Sequence, residues 1–316
     1  MNPTPAVIRK PKALPKGSTL AYFAAASPPS DFGDVQMGTL ELQRLGYEVF
    51  PAQELFPSGY FAGSVEERLN GFLQALENEE VDGLVSLRGG YGSTYLLDGL
   101  GQAGLQAPKS VIGYSDLTSV QTYLWQRHGW VTFHGPMLAA GFNHGANDLR
   151  GFEETSFLCA VRETADSWSV NLSGEVLFPG VAEGRILGGC LTILQTTLGT
   201  PWEIDTAEAI LLLEDTQIKP YQVDRALMHL KQAGKLRNLR GIVLGEFPGS
   251  EPVVSHSPTV REVCQGLLAP LGIPVVYGAP VGHTKRPMLT IPLGVRVRLV
   301  AKGGGLLEFL EPAVVE

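Results

Sequence analysis

Short apolar runs alternate with longer amphipathic ones through the first half of the chain. Leu20 to Ala26 is apolar without a break, and Pro28-Pro29-Ser30 ends the run. This pattern predicts a strand over 19–27 and a helix over 31–45. A second strand follows at 47–51, and Ser64-Val65-Glu66-Glu67 has the form of a capping box opening a helix to about residue 78. The rhythm continues with strands over 81–87, 111–114 and 131–133 and helices over 91–100 and 116–128. Strands and helices that alternate in this way build a parallel sheet covered by helices on both faces.

Between residues 146 and 182 the rhythm fades, and this stretch reads as a linker. Beyond it, helices are expected over 188–198, 222–232 and 257–268, with strands over 210–213, 242–244 and 274–276. Residues 295–300 and Gly303-Gly304-Gly305 read as a β-hairpin. The expected organisation is an arm over 1–18, an N-terminal α/β domain over 19–145, a linker over 146–182 and a C-terminal α/β domain over 183–316.

The densest chemistry is in Gly113-Tyr114-Ser115-Asp116. A serine between a strand end and a helix start is where hydrolases expose a nucleophile, and backbone N–H groups after it can receive an oxyanion. Leu117 stands where a G-x-S-x-G elbow has its second glycine, so the pattern is not that of an ordinary α/β-hydrolase. From this run alone a helix cap is the commoner role for such a serine, with Asp116 favouring the N-terminus. Two later apolar runs also end in reactive groups. Ala209 to Leu213 leads into Glu214-Asp215, and Pro274 to Val276 leads into a loop that holds His283. Serine, acid and histidine in this order form one workable hydrolytic set, with either carboxylate as its acid. Alternation along a strand puts Glu214 and Asp215 on opposite faces, so one of them at most can reach His283.

Read together, these blocks resemble the LD-carboxypeptidase family of serine peptidases, which includes the self-immunity peptidases against nucleotide-peptide antibiotics of the microcin C type. The matching blocks are Arg88-Gly89-Gly90-Tyr91-Gly92-Ser93, Gly113-Tyr114-Ser115-Asp116 and Phe133-His134-Gly135-Pro136. Gly188-Gly189-Cys190-Leu191, Leu198-Gly199-Thr200-Pro201, Leu213-Glu214-Asp215 and Pro220 to Arg225 follow in order. Pro280-Val281-Gly282-His283 and Leu289 to Val295 complete the set, which runs from about residue 17 to 310. The resemblance implies Ser115 as nucleophile, His283 as base and Glu214 as the acid orienting it. It implies an active site in the cleft between the two domains, a homodimer, and murein tetrapeptide as substrate, cut before its terminal D-alanine. The alternative within the same chemistry is hydrolysis of a peptide-nucleotide antibiotic.

For the oxyanion, the backbone N–H of Asp116 is the natural first donor, and the Gly89-Gly90 turn is placed to give a second. Arg88, Lys285 and Arg286 are candidates for the substrate carboxylate by charge, and His134 is a candidate for the pocket lining. Cys190 reads as a packed small residue rather than a nucleophile. The six histidines show no ligand-pair spacing, so neither a metal nor another cofactor is expected.

Composition narrows the remaining classes. The chain has 316 residues, 44% of them hydrophobic and 18% charged, which suits a large packed core. A net charge of −8 without a dense basic block argues against nucleic acid. Leu20 to Ala26 is too short to span a membrane, so no membrane partner is expected. Three dispersed cysteines suit a reducing compartment, and a cytoplasmic enzyme acting on a small peptide is the expectation.

Overall fold

The computed structural model describes residues 7–55, 57, 59–164, 167–254 and 256–316. Its first half contains β1 (Thr19–Phe23), α1 (Phe32–Arg44), β2 (Glu48–Pro51), α2 (Val65–Glu77), β3 (Gly83–Ser86), α3 (Leu97–Gln102), β4 (Ser110–Gly113), α4 (Thr118–His128) and β5 (Thr132–His134). In the second half are α5 (Glu154–Arg162), β6 (Trp168–Asn171), β7 (Glu175–Phe178), β8 (Gly180–Cys190), α6 (Leu191–Thr196), β9 (Ala209–Glu214), α7 (Pro220–Gln232), β10 (Gly241–Gly245), α8 (Val260–Leu268), β11 (Val275–Ala279), β12 (Ile291–Leu293), β13 (Arg296–Ala301) and β14 (Leu306–Phe309).

Local chemistry explains several boundaries. Asp31 accepts from the Gly33 N–H and caps α1. Ser64 and Glu67 close the expected capping box on α2, with reciprocal bonds of 3.1 and 2.7 Å. Gly129 ends α4 in the left-handed conformation at φ 65.

Two sheets result. The first runs β12-β5-β4-β3-β1-β2, parallel except for β12, which pairs antiparallel with β5. The second runs β6-β14-β13-β8-β9-β10-β11-β7, with β8 to β11 parallel. Central strands β3, β4, β9 and β10 are buried throughout, as strands covered on both faces must be.

The structure corrects two readings. The stretch taken as a linker holds α5, β6 and β7, and both strands are edges of the second sheet. Their half-exposed patterns hid them, since edge strands need less apolar surface. Residues 188–190 end the eleven-residue strand β8 rather than starting a helix. The arm is also tied down where it is described: Arg9 bridges to Trp130, Lys12 bridges to Val315, and Leu14 is fully buried. Residues 1–6 of that arm lie outside the described residues.

Candidate active site

Two residues past β4, Ser115 has a left-handed backbone conformation, φ 62, and opens a single 3-10 turn over Ser115–Leu117. A non-glycine residue there is strained, and such strain gathers at functional turns. Gly113 makes the turn possible. It has φ 156, and a Cβ on it would stand 2.6 Å from Leu117 Cδ2 and 2.9 Å from Ser86 Cβ.

The Arg88-Gly89-Gly90 turn after β3 packs against this serine. A Cβ on Gly89 would lie 2.7 Å from Ser115 Oγ and 3.6 Å from the Asp116 nitrogen. The buried Asp116 carboxylate fixes the loop beyond: its Oδ2 accepts the Ser93 N–H at 2.8 Å, and Ser93 Oγ contacts Ser119 Oγ at 2.7 Å. Burial raises the Asp116 pKa, against the Ser93 bonds and the charge of Arg68. Arg68, fully buried on α2, donates to the carbonyls of Ala25, Gly63 and Gly92. Sequence reading missed Arg68, because an arginine in an amphipathic helix gives no sign that it points inward.

Glu214 ends β9 and is fully buried. Its Oε2 accepts the His283 backbone N–H at 2.9 Å and lies 2.7 Å from His283 Nδ1. Two glycines admit the carboxylate. A Cβ on Gly245 would meet Glu214 Cβ at 2.6 Å, and one on Gly282 would collide with the Glu214 carboxyl group. Burial pushes the Glu214 pKa up, but the His283 charge and its two bonds outweigh this and leave it lowered. For His283 burial acts downward, and the contact with Glu214 prevails and raises its pKa. Asp215 turns away: its Oδ2 accepts from Thr192 N–H and Oγ1 at 2.9 and 2.6 Å, and its Oδ1 accepts from Thr216.

Ser115 and His283 line one cavity of about 520 Å³ with Arg88, Gly89, Gly90, Asp34 and Tyr114. They share a second, of about 410 Å³, with Asp116, Cys190, Gln217 and Arg225. The Tyr114 ring stands edge-on to His283, with centroids 4.9 Å apart. The site therefore forms where strand ends of both sheets meet, as α/β folds build their crevices.

The other expected positions do not all reach these cavities. His134 is fully buried and lines neither of these cavities. Lys285 is 69% exposed, sits 3.9 Å from Glu251 and also lines neither. Arg286 is held by Glu246 and by the carbonyls of Ser173 and Gly278. Arg88 remains in the cavity, with one bond to the Pro28 carbonyl and no ion pair among the described residues. Burial raises the Cys190 pKa well above its usual range, which keeps it a thiol. No group of three His, Cys, Asp or Glu side chains that could hold a metal ion occurs among the described residues.

The LD-carboxypeptidase N-terminal domain profile matches residues 21–135, and the C-terminal domain profile matches residues 183–299. The chain belongs to the LD-carboxypeptidase family. This LD-carboxypeptidase, a serine-type hydrolase, is 36% identical over 294 residues to a probable murein peptide carboxypeptidase of Bacillus subtilis, covering 92% of this chain and 91% of that one. A muramoyltetrapeptide carboxypeptidase from Oxalobacter formigenes superposes with TM-score 0.80 at 33% identity, over 93% of this chain and 99% of that one. The microcin C7 self-immunity protein MccF of Escherichia coli is 26% identical over 316 residues, 90% of this chain and 91% of its own. An MccF structure superposes with TM-score 0.86 at 24% identity, over 97% and 99% of the chains, a likeness of fold. Among the described residues no helix is long and apolar enough to cross a membrane.

Proposed function

We propose that this LD-carboxypeptidase releases the terminal D-alanine of murein tetrapeptide, with Ser115 as nucleophile, His283 as base and Glu214 as the acid that orients it. The observation that carries the reading is the double contact of His283 with Glu214 Oε2, in a cavity shared with the strained Ser115. With Nδ1 engaged by Glu214, His283 Nε2 is left to take the Ser115 proton as Oγ attacks the carbonyl of the L-centre. The oxyanion falls to the N–H groups of Asp116 and the Gly89-Gly90 turn. Collapse breaks the C–N bond, the D-alanine amine takes the proton from His283, and water then hydrolyses the acyl-enzyme by the reverse route.

Arg88 is the proposed anchor for the terminal carboxylate, since it lines the cavity with no ion pair among the described residues. Asp34, in the same cavity, suits an ammonium of the diamino acid. Hydrolysis of aminoacyl nucleotide amides is the second reading, favoured by the 26% identity with MccF over nearly the whole chain. A cytoplasmic homodimer completes the proposal, consistent with three cysteines that are all free thiols. Sedimentation analysis and cell fractionation test that part. Mass spectrometry of products from murein tetrapeptide and from aspartyl sulfamoyl adenosine, side by side, tests the substrate. Tetrapeptide left intact while the sulfamoyl amide is cut would overturn the first reading in favour of the second.

A further inference from the structure

His134 closes β5 beside the proposed acid. It pairs with Gly113 of β4 on one side and Ile291 of β12 on the other. Its side chain is fully buried, and neither ring nitrogen has a hydrogen-bond partner among the described residues. Glu214 Oε1 is buried and likewise lacks one, while Oε2 takes both bonds from His283. The two orphaned groups face each other, His134 Nε2 standing 3.6 Å from Oε1. This is just beyond hydrogen-bond length, and an adjustment of a few tenths of an ångström would close it. Leaving a buried donor and a buried carboxylate oxygen unpaired side by side costs more than pairing them.

We propose that His134 is a positioning residue: its neutral Nε2–H tautomer holds Glu214 Oε1, so that Oε2 stays aimed at His283. The inference rests on the assignment of Ser115, Glu214 and His283 made above. A neutral donor suits the task, because a second imidazolium would compete with His283 for the one carboxylate. Burial drives the His134 pKa down to about 4, with Glu214 pulling it up and His283 pushing it down. The titratable groups facing His134 are Tyr114 from the turn after β4, Glu214 from β9 and His283 from the loop after β11. Asp215, Cys190 and Tyr114 bear on the Glu214–His283 pair, and Arg88 bears on Tyr114.

Ser115 labelling by a fluorophosphonate, followed from pH 5 to 9, tests this without choosing a peptide substrate. His134→Phe keeps an aromatic of similar size and removes the donor. It should slow labelling about 10- to 100-fold, the worth of one hydrogen bond to a charged group. The pH midpoint should also rise, because Oε1 without a donor leaves more charge to hold the His283 proton. His134→Gln returns an N–H near the Nε2 position and should restore both rate and midpoint, which a purely packing role would not predict. Wild-type rate and midpoint in a folded His134→Phe would overturn the inference. Unlabelled wild-type protein would overturn the Ser115 assignment instead. A second measurement stands apart from turnover and from the folding of His134→Phe. In ¹⁵N-histidine spectra of the wild type, His134 should stay neutral and Nε2-protonated across that range. An imidazolium or an Nδ1–H tautomer would overturn the proposal.

Discussion

The Cys190 backbone N–H donates to Thr118 Oγ1 at 3.1 Å, and this bond ties the serine-bearing half of the molecule to the acid-bearing half. Thr118 begins the helix that follows Ser115, and Cys190 sits opposite Glu214 in the β8–β9 register. Gly189 makes the approach possible: at φ 139, a Cβ there would stand 2.6 Å from Thr118 Oγ1. The turn that carries Ser115 and the strand end that carries Glu214 are thus joined through one short hydroxyl side chain lying against the β8 backbone, not by long side chains reaching across a gap.

Ser115→Ala should abolish turnover and leave the fold intact. The substitution removes one oxygen and keeps the Cβ that the left-handed turn already accommodates. Tyr114 and Leu117 hold the cap positions of the turn and of α4, neither with a side-chain capping bond, so no cap is lost. Triad members act as a unit, so kcat should fall by about 10³-fold or more. Circular dichroism with product release by chromatography reads both quantities. Near-wild-type kcat in the folded variant would remove serine catalysis from the account.

Glu214→Gln should be far more damaging than Asp215→Asn. Glu214 Oε2 accepts two bonds from His283, whereas Asp215 bonds Thr192 and Thr216. The amide at 214 would favour the wrong imidazole tautomer, an effect that reaches about 10⁴-fold in serine proteases. At 215 the amide keeps one acceptor for the start of α6, and kcat should change less than about tenfold. Steady-state kinetics on the two variants decide it, and a worse Asp215→Asn would reassign the acid.

How far this arrangement could be read from the chain follows from where each contact is made. The parallel core of the first sheet is legible because β1, β3 and β4 are apolar runs set off by turns and separated by helical patterns. Strand β12 joins that sheet from 157 residues beyond β5, and nothing in Ile291–Leu293 records so distant a pairing. The edge strands β6 and β7 pair with β14 and β11, again far along the chain. Ser115, Glu214 and His283 stand out as candidates because each follows or ends an apolar run, but the choice of Glu214 over Asp215 comes from the family resemblance. For His134 the chain leaves both pocket lining and a structural hydrogen bond open, since a histidine at a strand end does not disclose which way its ring is buried. Asp116 looked like a helix-start charge, but it clamps Ser93 and so holds the glycine turn against Ser115.

Gly89→Ala tests the contact between that turn and the serine. Gly89 does not have a positive φ, so alanine suits its backbone, and the added Cβ meets chiefly Ser115, 2.7 Å from Oγ and 2.8 Å from Cβ. Misplacing a reacting group by about 1 Å can cost about 10²-fold in rate. We expect kcat to fall by about that factor while the unfolding midpoint moves by only a few degrees. An unchanged kcat would mean that the loop yields and plays no part in placing Ser115.

Stability should weaken on the acid side through His134. Its pKa in the folded protein is about 4, below the unfolded value of about 6.5. Below pH 6.5 the unfolded chain takes up a proton that the folded one refuses, so folding loses free energy as pH falls toward 4. Glu214, whose folded pKa is lowered, keeps its contribution until below about pH 4.5. His283, whose folded pKa is raised, keeps its full contribution below about pH 6.5. Between pH 6.5 and 4.5 His134 therefore governs this cluster, and its share of the loss should be about 2–3 kcal/mol. Urea unfolding at both pH values should show that slope in the wild type and its absence in His134→Phe. Equal slopes in the two proteins would mean that His134 charges without unfolding.

The pH dependence of turnover follows from the opposite shift at His283. Attack by Ser115 requires a neutral imidazole, so kcat/KM should rise with pH through one ionisation. Burial alone would put that midpoint below the ordinary value of about 6.5, but the Glu214 charge and hydrogen bond raise it. The rising limb should accordingly be centred above pH 6.5. Glu214→Gln removes the charge and keeps the burial, so its residual activity should rise at a lower pH than that of the wild type. His283→Ala should lose the limb entirely, retaining only what the oxyanion donors and substrate positioning supply. Measuring kcat/KM from pH 5 to 9 with a substrate that does not titrate in that range reads the free enzyme's ionisation. A wild-type limb centred below 6.5, or one that stays put in Glu214→Gln, would show that Glu214 does not stabilise the imidazolium and would leave His283 without its orienting acid.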